Sequence, residues 1–186
     1  MTAARQRNWL IPVALGILFF GLTSALSQLD YGFMPKGGKT LLLEVFGSLP
    51  DQQELRKIVE ARRSEAEWRD AMSARGKALS ERELRTLAAY LVVNMPVPEA
   101  TRARPDLAAA LPRDGRELAW NECQFCHSLF TSYLTQDRSA QAWLNMFQSP
   151  FHRAMKMTQQ EREEFARYSA INMPMKIEDV PKDLRF

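Results

Sequence analysis

The sequence predicts an all-α fold, with an N-terminal transmembrane helix followed by two related helical units. Three observations carry this reading. An uncharged apolar run lies near the start, helix-start signals recur along the rest of the chain, and no convincing alternation of apolar and polar residues marks a strand. At 186 residues, with 46% hydrophobic and 25% charged residues, the chain reads as globular, with room for one ordinary domain or two small ones.

The apolar run comes first. No charged residue occurs between Arg7 and Asp30, and the apolar core extends from Trp9 to Leu26. A helix needs roughly 20 apolar residues to cross a bilayer, with about 17 as the lower limit. Arg5 and Arg7 precede the run and no comparable basic cluster directly follows it, so the positive-inside rule keeps the N-terminus in the cytoplasm. Residues 1–30 are therefore expected to be a single-pass anchor in a bacterial inner membrane, with the remainder in the periplasm. A cleaved signal peptide is the rival reading, because Ala25-Leu26-Ser27 resembles a small-x-small cleavage site. Both readings export the rest of the chain.

Helix starts follow. Capping boxes, a Ser, Thr or Asp with Glu three residues on, are read at Ser64/Glu67, Ser80/Glu83, Asp114/Glu117 and Thr158/Glu161. Ser139 is a fifth N-cap, ahead of Trp143-Leu144 and Met146-Phe147. Leu84, Leu87, Ala88 and Leu91 share one helical face, as do Phe165, Ala166, Tyr168 and Ser169.

These helices belong to an internal repeat. Arg63-Ser64 with Trp68 recurs as Arg138-Ser139 with Trp143, 75 residues on. Glu83, Ala88, Tyr90 and Asn94-Met95-Pro96 recur as Glu161, Ala166, Tyr168 and Asn172-Met173-Pro174, offset by 78. The expected organisation is a first helical unit at 31–97, a proline-rich linker at 98–113 and a second unit at 114–186.

The copies differ in chemistry. The second contains Cys123-Gln124-Phe125-Cys126-His127, where the first has Val45-Phe46-Gly47-Ser48-Leu49, without Cys or His. C-x-x-C-H is the attachment pattern of c-type haem: two thiols one helical turn apart add across the porphyrin vinyl groups, and the adjacent His turns its imidazole to the iron. Competing uses of the pair are a redox dithiol, which lacks its βαβ context, a zinc site built with His152, and a simple disulfide closing a tiny loop. The near-balanced net charge of +3, with acids and bases interleaved, argues against nucleic acid as a partner.

The segment from Gly115 to Pro174, built around this motif, resembles a small class I cytochrome c domain. The resemblance covers about a third of the chain closely and the first copy more faintly. It implies a cytochrome c-like helical fold in which an N-terminal and a C-terminal helix pack at an angle. It implies one covalent haem c on Cys123 and Cys126, with His127 as proximal ligand. The Arg138-Ser139…Trp143 element is similar to small cytochrome domains of periplasmic dehydrogenase electron-transfer subunits. The resemblance also places the sixth ligand in the loop before the last helix. His152 is the expected residue, Met155 the alternative, with Met146 and Met173 further off. Trp120, Phe125, Phe130, Trp143 and Phe147 are expected to line the haem pocket.

The expected function is single-electron transfer by a chain that is not itself an enzyme. Its partners would be the membrane and other redox proteins, as subunits of a respiratory or dehydrogenase complex. A haem-based sensor or haem enzyme with an open distal site is the alternative.

Overall fold

The protein, seen here as a computed structural model, is described over residues 31–46, 52–75, 77–124 and 126–185. The expected anchor at 1–30 lies outside the described residues, and among these no helix is long and apolar enough to cross a membrane. The described chain is helical throughout, without strands, as the sequence predicts. Its helices are α1 (Gly38–Phe46), α2 (Gln52–Glu60), α3 (Glu65–Ser73), α4 (Glu81–Asn94), α5 (Glu99–Arg102), α6 (Leu107–Ala110), α7 (Gly115–Cys123), α8 (Ala140–Met146), α9 (Pro150–Arg153) and α10 (Gln159–Asn172). The proline-rich linker contains two of these, the short helices α5 and α6.

All four expected capping boxes form. Ser64, Ser80, Asp114 and Thr158 each accept from the backbone N–H three residues on, and the glutamate there accepts from the cap's own N–H. Ser139 caps α8 by accepting from Ala142 N–H. Each cap satisfies a backbone donor that a helix start leaves free, which fixes where the helix begins.

The repeat is reproduced in three dimensions. In the first copy α1 and α3 pack on α4, and in the second α7 and α8 pack on α10. Close approach needs glycine in both copies: a Cβ on Gly38 would lie 2.1 Å from Tyr90 Cβ, and one on Gly115 would lie 2.1 Å from Tyr168 Cβ. Departures are also visible. Counted back at the offset of 75, α2 aligns with a π-helical turn, Phe130–Leu134. Even so, Val97 N–H donates to Val59 O at 2.9 Å, and its counterpart Met175 N–H donates to Leu134 O at 2.8 Å.

The two copies share one compact unit, Gly32–Phe186, because α4 packs directly against α10. The contact is reciprocal. Tyr90 Oη–H donates to Pro112 O (2.9 Å) in the lead-in to the second copy, and Tyr168 Oη–H donates to Pro35 O (2.6 Å) in the lead-in to the first. Asn94 Nδ2 donates to Glu164 Oε2 (3.2 Å), while Asn172 Nδ2 donates to Thr86 Oγ1 (3.0 Å). Acids occupy only the second-copy member of each near-axis pair, Asp114 against Gly37 and Glu164 against Thr86. A Cβ on Gly37 would sit 2.1 Å from the Asp114 carboxyl, so the first copy has no room for a matching side chain.

Glu164 is fully enclosed and accepts from Gly115 N–H (3.0 Å), the first residue of α7. Burial, and secondarily the charge of Asp114, push its carboxyl from the ordinary 4.5 up to about 8. The folded chain therefore holds a proton that the unfolded chain releases near 4.5, so stability is expected to fall as pH rises from about 5 to about 8. Burial raises the buried Asp114 carboxyl as well, which adds a loss of the same sign. Glu164→Gln is expected to flatten most of that slope in chemical denaturation series at several pH values. An unchanged slope would remove Glu164 from this role.

Candidate functional site

The site is built where α7 ends. Arg113 braces this end of the second copy, donating from Nη1 to Glu122 Oε1 and from Nη2 to Glu161 Oε1, both at 2.7 Å. This ties the C-terminal turn of α7 to the first turn of α10. Cys123 closes α7 half-buried, and the chain then turns outward, leaving Cys126 and His127 exposed. Phe125 lies outside the described residues.

The opposite wall comes from the segment between α8 and α10. Pro150 occupies the first turn of α9, where its missing N–H costs nothing, and Ser149 stands at the cap position. Ser149 Oγ and His152 Nδ1 share a hydrogen bond of 2.8 Å. With Nδ1–H donating, Nε2 keeps the lone pair, as an oriented metal-ligating histidine requires. Arg162 donates from Nη2 to Arg153 O (3.0 Å) and Met155 O (3.3 Å), holding the chain beyond α9 against α10. Burial, followed by the neighbouring His127 and Arg138, lowers the His152 pKa and so favours its neutral, lone-pair-bearing form.

Between these walls is a cavity of about 250 Å³. Cys123, Cys126, His127, His152 and Met155, all singled out from sequence, line it together. The imidazoles of His127 and His152 are neighbours on this cavity, edge to face, with ring centroids 6.2 Å apart and planes at 61°.

Met146 also lines the cavity, whereas Met173 is buried elsewhere, at the end of α10. Of the expected aromatics, Trp143 lines it. Trp120 instead stacks edge-on against Phe33 (6.3 Å) and borders a second groove, on the other side of His127. Phe147 is turned into the Phe165 ring (5.7 Å), and Phe130 lies on the π-helical turn. Sequence reasoning did not assign Tyr133, Phe165 and Phe151 to the lining. The repeat register carried a signal for two of them: Tyr133 and Phe165 replace Ile58 and Leu87 at matching positions. In the first copy Ile58, Trp68 and Leu87 belong to a solid buried core. At these matched positions the first copy buries aliphatic side chains in its core, and the second places aromatic rings on the cavity.

The donor set discriminates between chemistries. Burial, then the charge of Glu122, pushes the Cys123 thiol up to about 12. Among the described residues no three His, Cys, Asp or Glu side chains converge to hold a bare metal ion. Two thiols and two imidazoles lining one apolar cavity instead suit a macrocycle carrying its own metal, so these residues fit haem c. Trp143 Nε1 is buried beside the cavity without an acceptor, but so is Trp68 Nε1 in the solid core, which makes that feature a property of the scaffold.

No family model, no curated protein and no solved structure matches this chain.

Proposed function

We propose that this chain is a membrane-anchored periplasmic c-type cytochrome with one haem. It would relay single electrons between redox proteins as a subunit of a larger respiratory or dehydrogenase complex. The observation that carries the reading is that Cys123, Cys126, His127 and His152 line one cavity, with the two imidazole centroids 6.2 Å apart. Haem iron supplies the one-electron chemistry, and the chain supplies attachment, ligands and burial.

Each residue then has a task. Cys123 and Cys126 anchor the macrocycle edge through thioethers. His127 ligates from the α7 side and His152 from the α9 side, its ring oriented by Ser149. Tyr133, Trp143 and Phe165 keep water from the inner face, which stabilises a fixed coordination and lowers the reorganisation that electron exchange requires. Met155 is the alternative sixth ligand on the same wall. The first copy serves as a haemless buttress, and residues 1–30 hold the assembly at the membrane.

Carbon monoxide tests the relay. The reduced full-length protein is expected to show a six-coordinate low-spin spectrum unchanged by the gas, with a reversible one-electron redox titration. A high-spin spectrum that shifts with carbon monoxide would transfer the site to the sensor or haem-enzyme reading.

A further inference from the structure

The wall that carries His152 has surface properties of its own. From Arg138 to Gln160 the sequence contains no Asp or Glu, although acids make up 22 of 186 residues. Arg138, Arg153, Lys156 and Arg162 fall in or border this segment, and none has an ion-pair partner among the described residues. Arg113, at the other end of the same copy, has two. The cations are held in place without being neutralised: Arg138 lies over the Trp143 ring and Arg162 over the Phe147 ring, each at 5.0 Å. Next to His152, Phe151 is 88% exposed, the most exposed large apolar side chain described. A large ring kept in water at the cavity mouth, inside a fringe of unpaired cations, has the layout of an interface centre with a charged rim.

We propose that this face docks an acidic redox protein, with Phe151 seated at the centre of the contact and Arg153 and Lys156 steering the approach. The proposal rests on the electron-relay reading, since it places the partner against the cavity mouth, over His152. Charge complementarity selects the occupant: four unneutralised cations accelerate and orient the approach of an acidic surface, and the effect weakens with salt.

The test uses the full-length protein, with an acidic plant-type ferredoxin as probe. Titration followed by amide chemical shifts is expected to perturb residues 138–160 and to weaken steeply with ionic strength. The double variant Arg153→Glu with Lys156→Glu should bind about tenfold or more weakly. The control Arg62→Glu with Arg104→Glu, on exposed residues of the first copy and the linker and equal in charge change, should bind like wild type. Phe151→Ser should weaken binding without altering its salt dependence. Equal losses in control and test variants, or shifts centred elsewhere, would overturn the proposal. So would Phe151-dependent sedimentation with phosphatidylglycerol vesicles in the absence of ferredoxin binding, which would assign the face to lipid. The shifts are read whether or not haem is attached. A chain without haem would therefore sink the relay reading while leaving the docking result legible.

Discussion

His152→Ala is expected to leave haem attached through Cys123 and Cys126 while opening the iron on one side. The low-spin spectrum should give way to a high-spin one, and carbon monoxide should bind where it does not bind wild type. The reason is geometric. His152 is the imidazole next to His127 in the cavity, and Ser149 already orients it through Nδ1. Met155 supplies the internal control. If it were the ligand, Met155→Ala would produce the spectral change and His152→Ala would not. A methionine ligand also raises the potential relative to a second histidine, so His152→Met should shift the midpoint upward if the sulfur reaches the iron. Low-temperature electron paramagnetic resonance of the oxidised protein separates these cases.

Trp68→Ala is expected to destabilise the protein by about 3–5 kcal/mol, the usual cost of emptying a large aromatic site in a packed core. Against a typical total of about 5–15 kcal/mol, that is a large share. Trp68 is fully buried among Leu41, Leu55, Met72, Leu87 and Leu91 in the core of the first copy. The effect should reach the second copy as well, because α4 and α10 share their buried hydrogen bonds. Thermal melts should therefore show a single transition shifted as a whole. Trp68→Phe should cost far less, since it keeps most of the packing and removes an indole N–H that has no acceptor. Two separated transitions would contradict the picture of one cooperative body.

Much of this architecture was legible in the sequence, and the reasons are specific. The capping boxes worked because their bonds are local: four residues suffice to place a helix start. The repeat worked because it aligned Tyr90 with Tyr168 and Asn94 with Asn172, and the structure uses both pairs reciprocally. The motif residues and His152 converge on one cavity as expected. What the sequence did not disclose depends on long-range packing. Trp120 and Phe147 were expected on the pocket, yet Trp120 borders a second groove beside His127 and Phe147 is buried against Phe165. The proline-rich linker is partly helical, since Asp106 caps a short turn by accepting from Ala109 N–H. The buried carboxyl of Glu164 looked like one more acid of a solvated helix face. Only the contact of α10 with α4 and α7 encloses it.

The account rests on one covalent haem held by the second copy alone. The most direct measurement is the intact mass of the full-length protein, produced with c-type haem attachment machinery, together with its alkaline pyridine spectrum. The predicted result is a mass increase of one haem per chain, a spectrum of the c type, and loss of both when Cys123 and Cys126 are replaced by serine. A chain with no added mass, or with haem that acidified solvent extracts, would contradict the account, as would stoichiometric zinc in its place.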